Sequence, residues 1–96
     1  MPVFAVTYHY GPDTDTRMEH RPAHRQWQAE MNEAGTILAS GPLDNDPQPG
    51  GLLILSAADR AEVEGQLAAD PYASLGVIES TDIREWTPVF GPFAQS

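Results

Sequence analysis

The sequence predicts an α+β fold, one antiparallel sheet with two helices on a single face, and three observations predict it. Four short stretches are rich in β-branched, aromatic or aliphatic residues, which suit a pleated surface. Two stretches between them space their apolar residues by three and four, the repeat of a helix. Gly or Pro stands at most of the junctions and breaks the chain into these pieces.

The elements follow in order. Val3 to Tyr10 reads as the first strand, ended by Gly11-Pro12-Asp13, with a polar connection from Thr14 to Glu19. Arg21-Pro22-Ala23-His24 reads as the opening of a helix, because a proline in the first turn lacks only an N–H that has no partner there. Ala23, Trp27, Met31 and Ala34 draw its apolar stripe, and Gly35 closes it. Thr36 to Ser40 is the second strand, stopped by Gly41-Pro42. Leu43 to Gly51 is a loop or wide hairpin tip. Gly51 to Ser56, with the unbroken run Leu52-Leu53-Ile54-Leu55, suits a central strand. The second helix begins near Asp59, whose charge is favourable at that end, and carries Val63 and Leu67. Asp70-Pro71-Tyr72 stops it, Gly76 turns the chain, and Val77 to about Pro88 is the last strand. The order β-α-β-β-α-β is the ferredoxin-like pattern, in a single domain over residues 1–96 whose tail, residues 91–96, is loosely specified. Neither side of the first strand is strongly polar, and the helices cover only one. The open face therefore predicts a second copy of the chain, a homodimer.

Charge and composition remove whole classes of function. Five basic residues, all arginine, stand against 14 acidic ones, for a net charge of -9. Such a surface repels phosphate backbones and anionic headgroups, so nucleic acid and membranes are not expected partners. Without cysteine there is no disulfide scaffold, thiolate nucleophile or cysteine-ligated metal. No apolar run approaches a membrane span and the N-terminus does not read as a signal peptide, so a cytoplasmic protein is expected.

The residues with chemistry in them are few. His20 and His24 lie four apart and, with His9, raise the question of a metal. Pro22 counts against it by setting His20 ahead of the first helical turn, and no Glu lies between the two as in a zincin helix. The reading is no metal and no cofactor. His24 lies at the edge of the apolar stripe, where by spacing alone a surface histidine is the better reading. Arg21 shares its face and suits a carboxylate or phenolate oxygen, or else pairs with Glu19. Asp70, at the end of a helix, faces an unfavourable dipole unless it binds something such as an imidazole N–H; Asp-Pro is also a common turn. Tyr72 either lines a pocket or packs. Ser40 and Thr7 lack a nucleophile elbow around them. Trp27 and Trp86 read as core or interface anchors.

Arg21-Pro22-Ala23-His24, Ala39-Ser40-Gly41-Pro42 and Asp70-Pro71-Tyr72 followed by Gly76-Val77, in this order and on these elements, resemble the YciI-like (YCII-related) family. The resemblance runs from the first strand to about Phe90. It implies a dimeric α+β barrel and a site made of a histidine and an aspartate, which fall on His24 and Asp70. One branch of the family resembles chlorohydroquinone dehydrochlorinases, and muconolactone isomerases share the wider fold. Both chemistries move a proton at carbon beside an enol or carbonyl.

The expectation is a cofactor-free lyase or isomerase acting on an enolic or aromatic metabolite. His24 and Asp70 would be catalytic, with Arg21, Ser40 and Tyr72 against the substrate. The alternative is a non-catalytic, dimeric module of the same fold that binds a small ligand. On the enzyme reading, Asp70→Asn is expected to lower activity strongly and leave folding intact.

Overall fold

The computed structural model describes residues 1–44 and 47–94, so the loop reading at residues 45–46 and the tail reading at residues 95–96 lie outside the described residues. The four strands are β1 (Val3–Tyr10), β2 (Ile37–Leu43), β3 (Gly50–Ser56) and β4 (Ile78–Trp86). They form one antiparallel sheet in the order β2-β3-β1-β4, so the two strands richest in apolar residues sit in the middle. With helices α1 (Thr14–Glu33) and α2 (Arg60–Leu67), the chain is a ferredoxin-like α+β domain.

Period-two alternation divides the sheet into two faces. Phe4, Val6, Tyr8 and Tyr10 point to the helices, with Leu53 and Leu55 of β3 beside them. Val63 and Leu67 of α2 and Trp27 of α1 close the core from above. Val6, Leu53, Leu55 and Val63 are removed from water almost completely, which stabilises the fold by roughly 1.5–3 kcal/mol for each side chain. The opposite face carries Val3, Ala5, Leu52, Ile54 and Trp86, of which Leu52 and Trp86 are exposed.

The structure revises several boundaries, each for a local reason. The stretch read as a polar connection is helical, and α1 starts seven residues before Arg21. Asp13 is its N-cap, accepting from the Thr16 N–H at 3.1 Å and from the Thr16 hydroxyl at 2.7 Å. Pro22 therefore lies inside α1, on its exposed side, where the lost backbone bond opens to solvent. The buried stripe shifts accordingly: Ala23 and Ala34 are exposed, while His24 and Trp27 are buried. Gly35 follows the helix at φ +83°, the left-handed conformation that glycine adopts without strain. β2 runs on through Gly41 and Pro42 to Leu43, because an edge strand tolerates a missing N–H. Asp59 caps α2 by accepting from the Glu62 N–H at 2.9 Å. α2 ends at Leu67, and Asp70 is not at its C-terminus: it caps a separate 3-10 turn, Pro71–Ser74.

Gly50 is required where it stands. A Cβ there would sit 2.5 Å from the Tyr8 carbonyl oxygen, which the strand pairing holds in place. Gly50→Ala is expected to destabilise the fold by about 1–3 kcal/mol in thermal melts. Gly65→Ala, on α2 with open space around it, is expected to stabilise it by up to about 1 kcal/mol. Equal melting temperatures for the two variants would contradict this account of the sheet.

Candidate functional site

The site begins with a carboxylate in the core. The Asp70 side chain is fully removed from solvent, and three donors converge on it. Tyr8, projecting from β1, donates its hydroxyl to Oδ2 at 2.9 Å. The backbone N–H of Tyr72 donates to Oδ1 at 3.0 Å, the bond that turns the chain into the 3-10 helix. Nδ1 of His24, reaching from α1, lies 2.8 Å from Oδ1 and 3.0 Å from Oδ2. A carboxylate accepts every one of these bonds, so Nδ1 is the nitrogen of His24 that donates to Asp70. Nε2 is the other ring nitrogen, and the Gln28 side-chain amide lies 3.1 Å from it.

The ring is fixed in its plane as well as at its nitrogen. His24 stacks on Tyr72 with centroids 3.9 Å apart and planes 4° from parallel. Tyr72 meets the Tyr10 ring edge-on at 5.7 Å and donates its hydroxyl to the Arg17 carbonyl at 3.0 Å. The Arg17 guanidinium lies over the Tyr10 ring, 4.7 Å from its centre. Two aromatic residues from β1, one from the 3-10 turn and one histidine thus form a continuous buried set beneath α1.

Tyr10, His24 and Tyr72 of this set line a cleft of about 520 Å³. α1, from Thr14 to Gln28, supplies one wall, and the ends of β2 and β3 supply the other. Arg21 and Tyr72 line it beside His24, and Ser40 lines it from β2. The structure therefore brings together all five residues singled out from the sequence. It corrects the surface reading of His24, which is 5% exposed, and the helix-end reading of Asp70. Arg21 contacts the Met18 sulfur at 3.9 Å instead of pairing with Glu19. The Tyr72 hydroxyl is committed to the backbone, so its contribution to the site is its ring. His20 lies within α1 and not ahead of it, yet among the described residues no three His, Asp or Glu side chains are placed to hold a metal. His9 is on the far face of the sheet, 2.9 Å from Asp82.

Four residues of the site escaped the sequence reading: Tyr8, Arg17, Arg25 and Gln28. Tyr8 reads as an ordinary strand aromatic. The other three sit at helical spacing from Arg21 and His24 (17, 21, 24, 25, 28), a pattern visible once the helix starts at Thr14.

Fold and cleft together define a small α+β domain with a buried histidine–aspartate pair opening on a pocket. A family model for the YCII-related domain matches residues 1–87, and the chain belongs to that family. It is 32% identical over 75 residues to the derivative of benzaldehyde biosynthesis cluster protein C of Emericella nidulans, covering 69% of this chain and 76% of that one. Among solved structures it is similar to the 5-chloro-2-hydroxyhydroquinone dehydrochlorinase of Burkholderia phenoliruptrix in complex with 2,5-dihydroxybenzoquinone. That match has a TM-score of 0.75 at 22% identity and covers 88% of this chain and 93% of the other. A NIPSNAP family protein of Agrobacterium tumefaciens superposes with a TM-score of 0.58 at 23% identity, over 97% and 95% of the two chains. At these identities the two structures establish the shared fold. Among the described residues no helix is long and apolar enough to cross a membrane.

Two predictions follow from the buried polar set. Burial pushes the Tyr8 hydroxyl far above its ordinary value of 10.0, and Asp70 adds to the shift. Burial first, and Tyr72 and Asp70 after it, push Tyr10 up to about 12 against the opposing Arg17 and Arg21. Both folded values lie above the unfolded one, so stability is complete below pH 10.0 and falls as pH climbs from there toward about 12. Denaturant melts above pH 10.0 should show that loss, and Tyr10→Phe should reduce it while leaving the neutral melt little changed. An alkaline loss of the same size in the variant would contradict the assignment.

The bonds to Asp70 also revise the expectation that Asp70→Asn leaves folding intact. An amide cannot accept all three, so the variant is expected to lose about 1–3 kcal/mol in a denaturant melt at neutral pH. Unchanged stability would mean that the bonds are not formed in solution.

Proposed function

We propose that the cleft is a small-molecule site at which His24 moves a proton on carbon next to an enol or carbonyl of an enolic or aromatic metabolite. The observation that carries this reading is the placement of the imidazole. Nδ1 is held by a buried carboxylate, and Nε2 is directed to a cleft large enough for a single-ring compound.

In the proposed step Nε2 removes the proton from carbon, and the electron pair of the broken C–H bond moves onto the carbonyl carbon–oxygen system as an enolate. Asp70 stabilises the imidazolium so formed and keeps the ring from rotating. Arg21 meets the anionic oxygen, where a guanidinium offers a pair of N–H donors. Ser40 is available to a second polar group on the substrate from the β2 side. The stacked Tyr72 ring sets the height of the imidazole. Return of the proton to a different carbon completes an isomerisation. Departure of an anionic group from the neighbouring carbon, with the proton leaving as its acid, completes an elimination. The step as written needs no groups beyond the chain's own side chains. The fold shared with a dehydrochlorinase supports the second outcome by analogy.

One observation favours the alternative, a ligand-binding module without turnover. The Gln28 amide already engages Nε2, so a base at this nitrogen has to part from it before acting.

We further propose that a second copy of the chain covers the open sheet face. Leu52 and Trp86 are exposed there among other apolar residues, on a side that no helix reaches. Light scattering should give twice 10.5 kDa, and Leu52→Asp should shift it toward the monomer. A stable 10.5 kDa species of the wild type at micromolar concentration would contradict the dimer.

The reaction is tested by incubating the protein with a panel of aromatic and enolic acids in deuterium oxide and following C–H loss by proton NMR. The wild type should accelerate exchange of at least one compound, and His24→Ala should slow it by about 10²–10⁴-fold. Equal rates in the two proteins would eliminate the role of His24. Binding without exchange in the wild type would establish the alternative.

A further inference from the structure

The distribution of charge in the cleft runs against that of the chain. The protein has 14 acidic residues and five arginines, yet among the described residues no Asp or Glu lines the cleft and three of the arginines do. These are Arg17, Arg21 and Arg25, four residues apart along α1. Successive guanidiniums on such a row are anchored about 6 Å apart, and the three span about 12 Å of the helix. They belong to one field: all three act on the Tyr72 hydroxyl, and two of them on Tyr10. Among the described residues none of the three pairs with a carboxylate. Nε of Arg17 is buried without any hydrogen-bond partner there. Such a donor is a standing penalty unless something accepts from it.

The opposite wall has a different character. Pro42, Leu43 and Pro49 line it, and Leu43 is 41% exposed. A cleft with a cationic row along one side and an apolar surface along the other fits a flat ring with acid groups on its edge.

We propose that the cleft selects a small planar dianion, with one acidic group on Arg21 beside His24 and a second on Arg17 or Arg25 along the same helix. The inference rests on the cleft being the ligand site and deepens that reading, but it does not require proton transfer. Fields in concave sites with low-dielectric walls are focused, so local attraction for the ligand prevails over the negative charge of the chain as a whole. Each added acid group gains a charge-assisted pair, whereas a neutral ring of the same shape leaves the guanidiniums unpaired.

The test is calorimetric titration of the full chain with terephthalate, benzoate and benzamide. Terephthalate should bind about tenfold or more tightly than benzoate, and benzamide weakest. The double variant Arg17→Gln, Arg25→Gln should bring terephthalate to within about threefold of benzoate. Arg17→Lys should keep part of the preference, since it retains charge without the fork. Absence of deuterium exchange would defeat the proposed chemistry and leave these titrations unaffected. Equal binding of terephthalate and benzoate by the wild type, no binding of terephthalate at millimolar concentration, or an undiminished preference in the double variant would overturn the inference.

Discussion

The Asp70 carboxylate is the group on which the arrangement of this protein depends. It is buried, and burying a carboxylate is tolerable only when donors replace the water it has lost. Those donors come from β1, from α1 and from the turn that Asp70 itself caps. A single side chain thereby ties together three parts of the chain that are 62 and 46 residues away in sequence or immediately adjacent. The same bonds set the imidazole's tautomer and lay its ring against Tyr72. Packing alone would keep His24 somewhere near the core; it would not choose which nitrogen faces the cleft.

α1 performs two tasks along its length. Its C-terminal half presents Trp27 and Met31 to the core and holds the helix on the sheet. Arg17, Arg21, His24 and Gln28, spread from its first turn past its middle, line the cleft wall. Apolar packing at Trp27 and Met31 holds the cleft-lining side chains in position. This division explains how an inward face with so few apolar residues belongs to a stable helix. The Asp13 cap contributes at the end where apolar packing is thinnest.

The order of elements along the chain, both helices and their placement on one face of the sheet were legible in the sequence, because apolar spacing and glycine or proline junctions report them directly. The start of α1 was not. Pro22 looks like a first-turn residue, and only the weight of Asp13 and its bond to Thr16 places the boundary earlier. That error hid the inward row of arginines, since a helix beginning at Arg21 has no place for Arg17. Spacing also put His24 on the surface, because a search for apolar stripes passes over a buried face made of polar side chains. Asp70 stood out in the sequence for the wrong reason: it caps a new turn and does not oppose the dipole of the helix before it. The partners that make it matter, Tyr8 and His24, are distant in the chain, and only the family resemblance linked His24 to Asp70.

The central claim is that Asp70 fixes His24 with Nδ1 protonated and Nε2 bare toward the cleft. Nitrogen NMR of histidine-labelled protein at neutral pH, with the resonances assigned through a His24→Gln variant, tests it directly. The account predicts a protonated Nδ1 and an unprotonated Nε2 for His24, and loss of that tautomer preference in Asp70→Asn. A His24 ring protonated on Nε2, or one averaging freely between tautomers in the wild type, would contradict it.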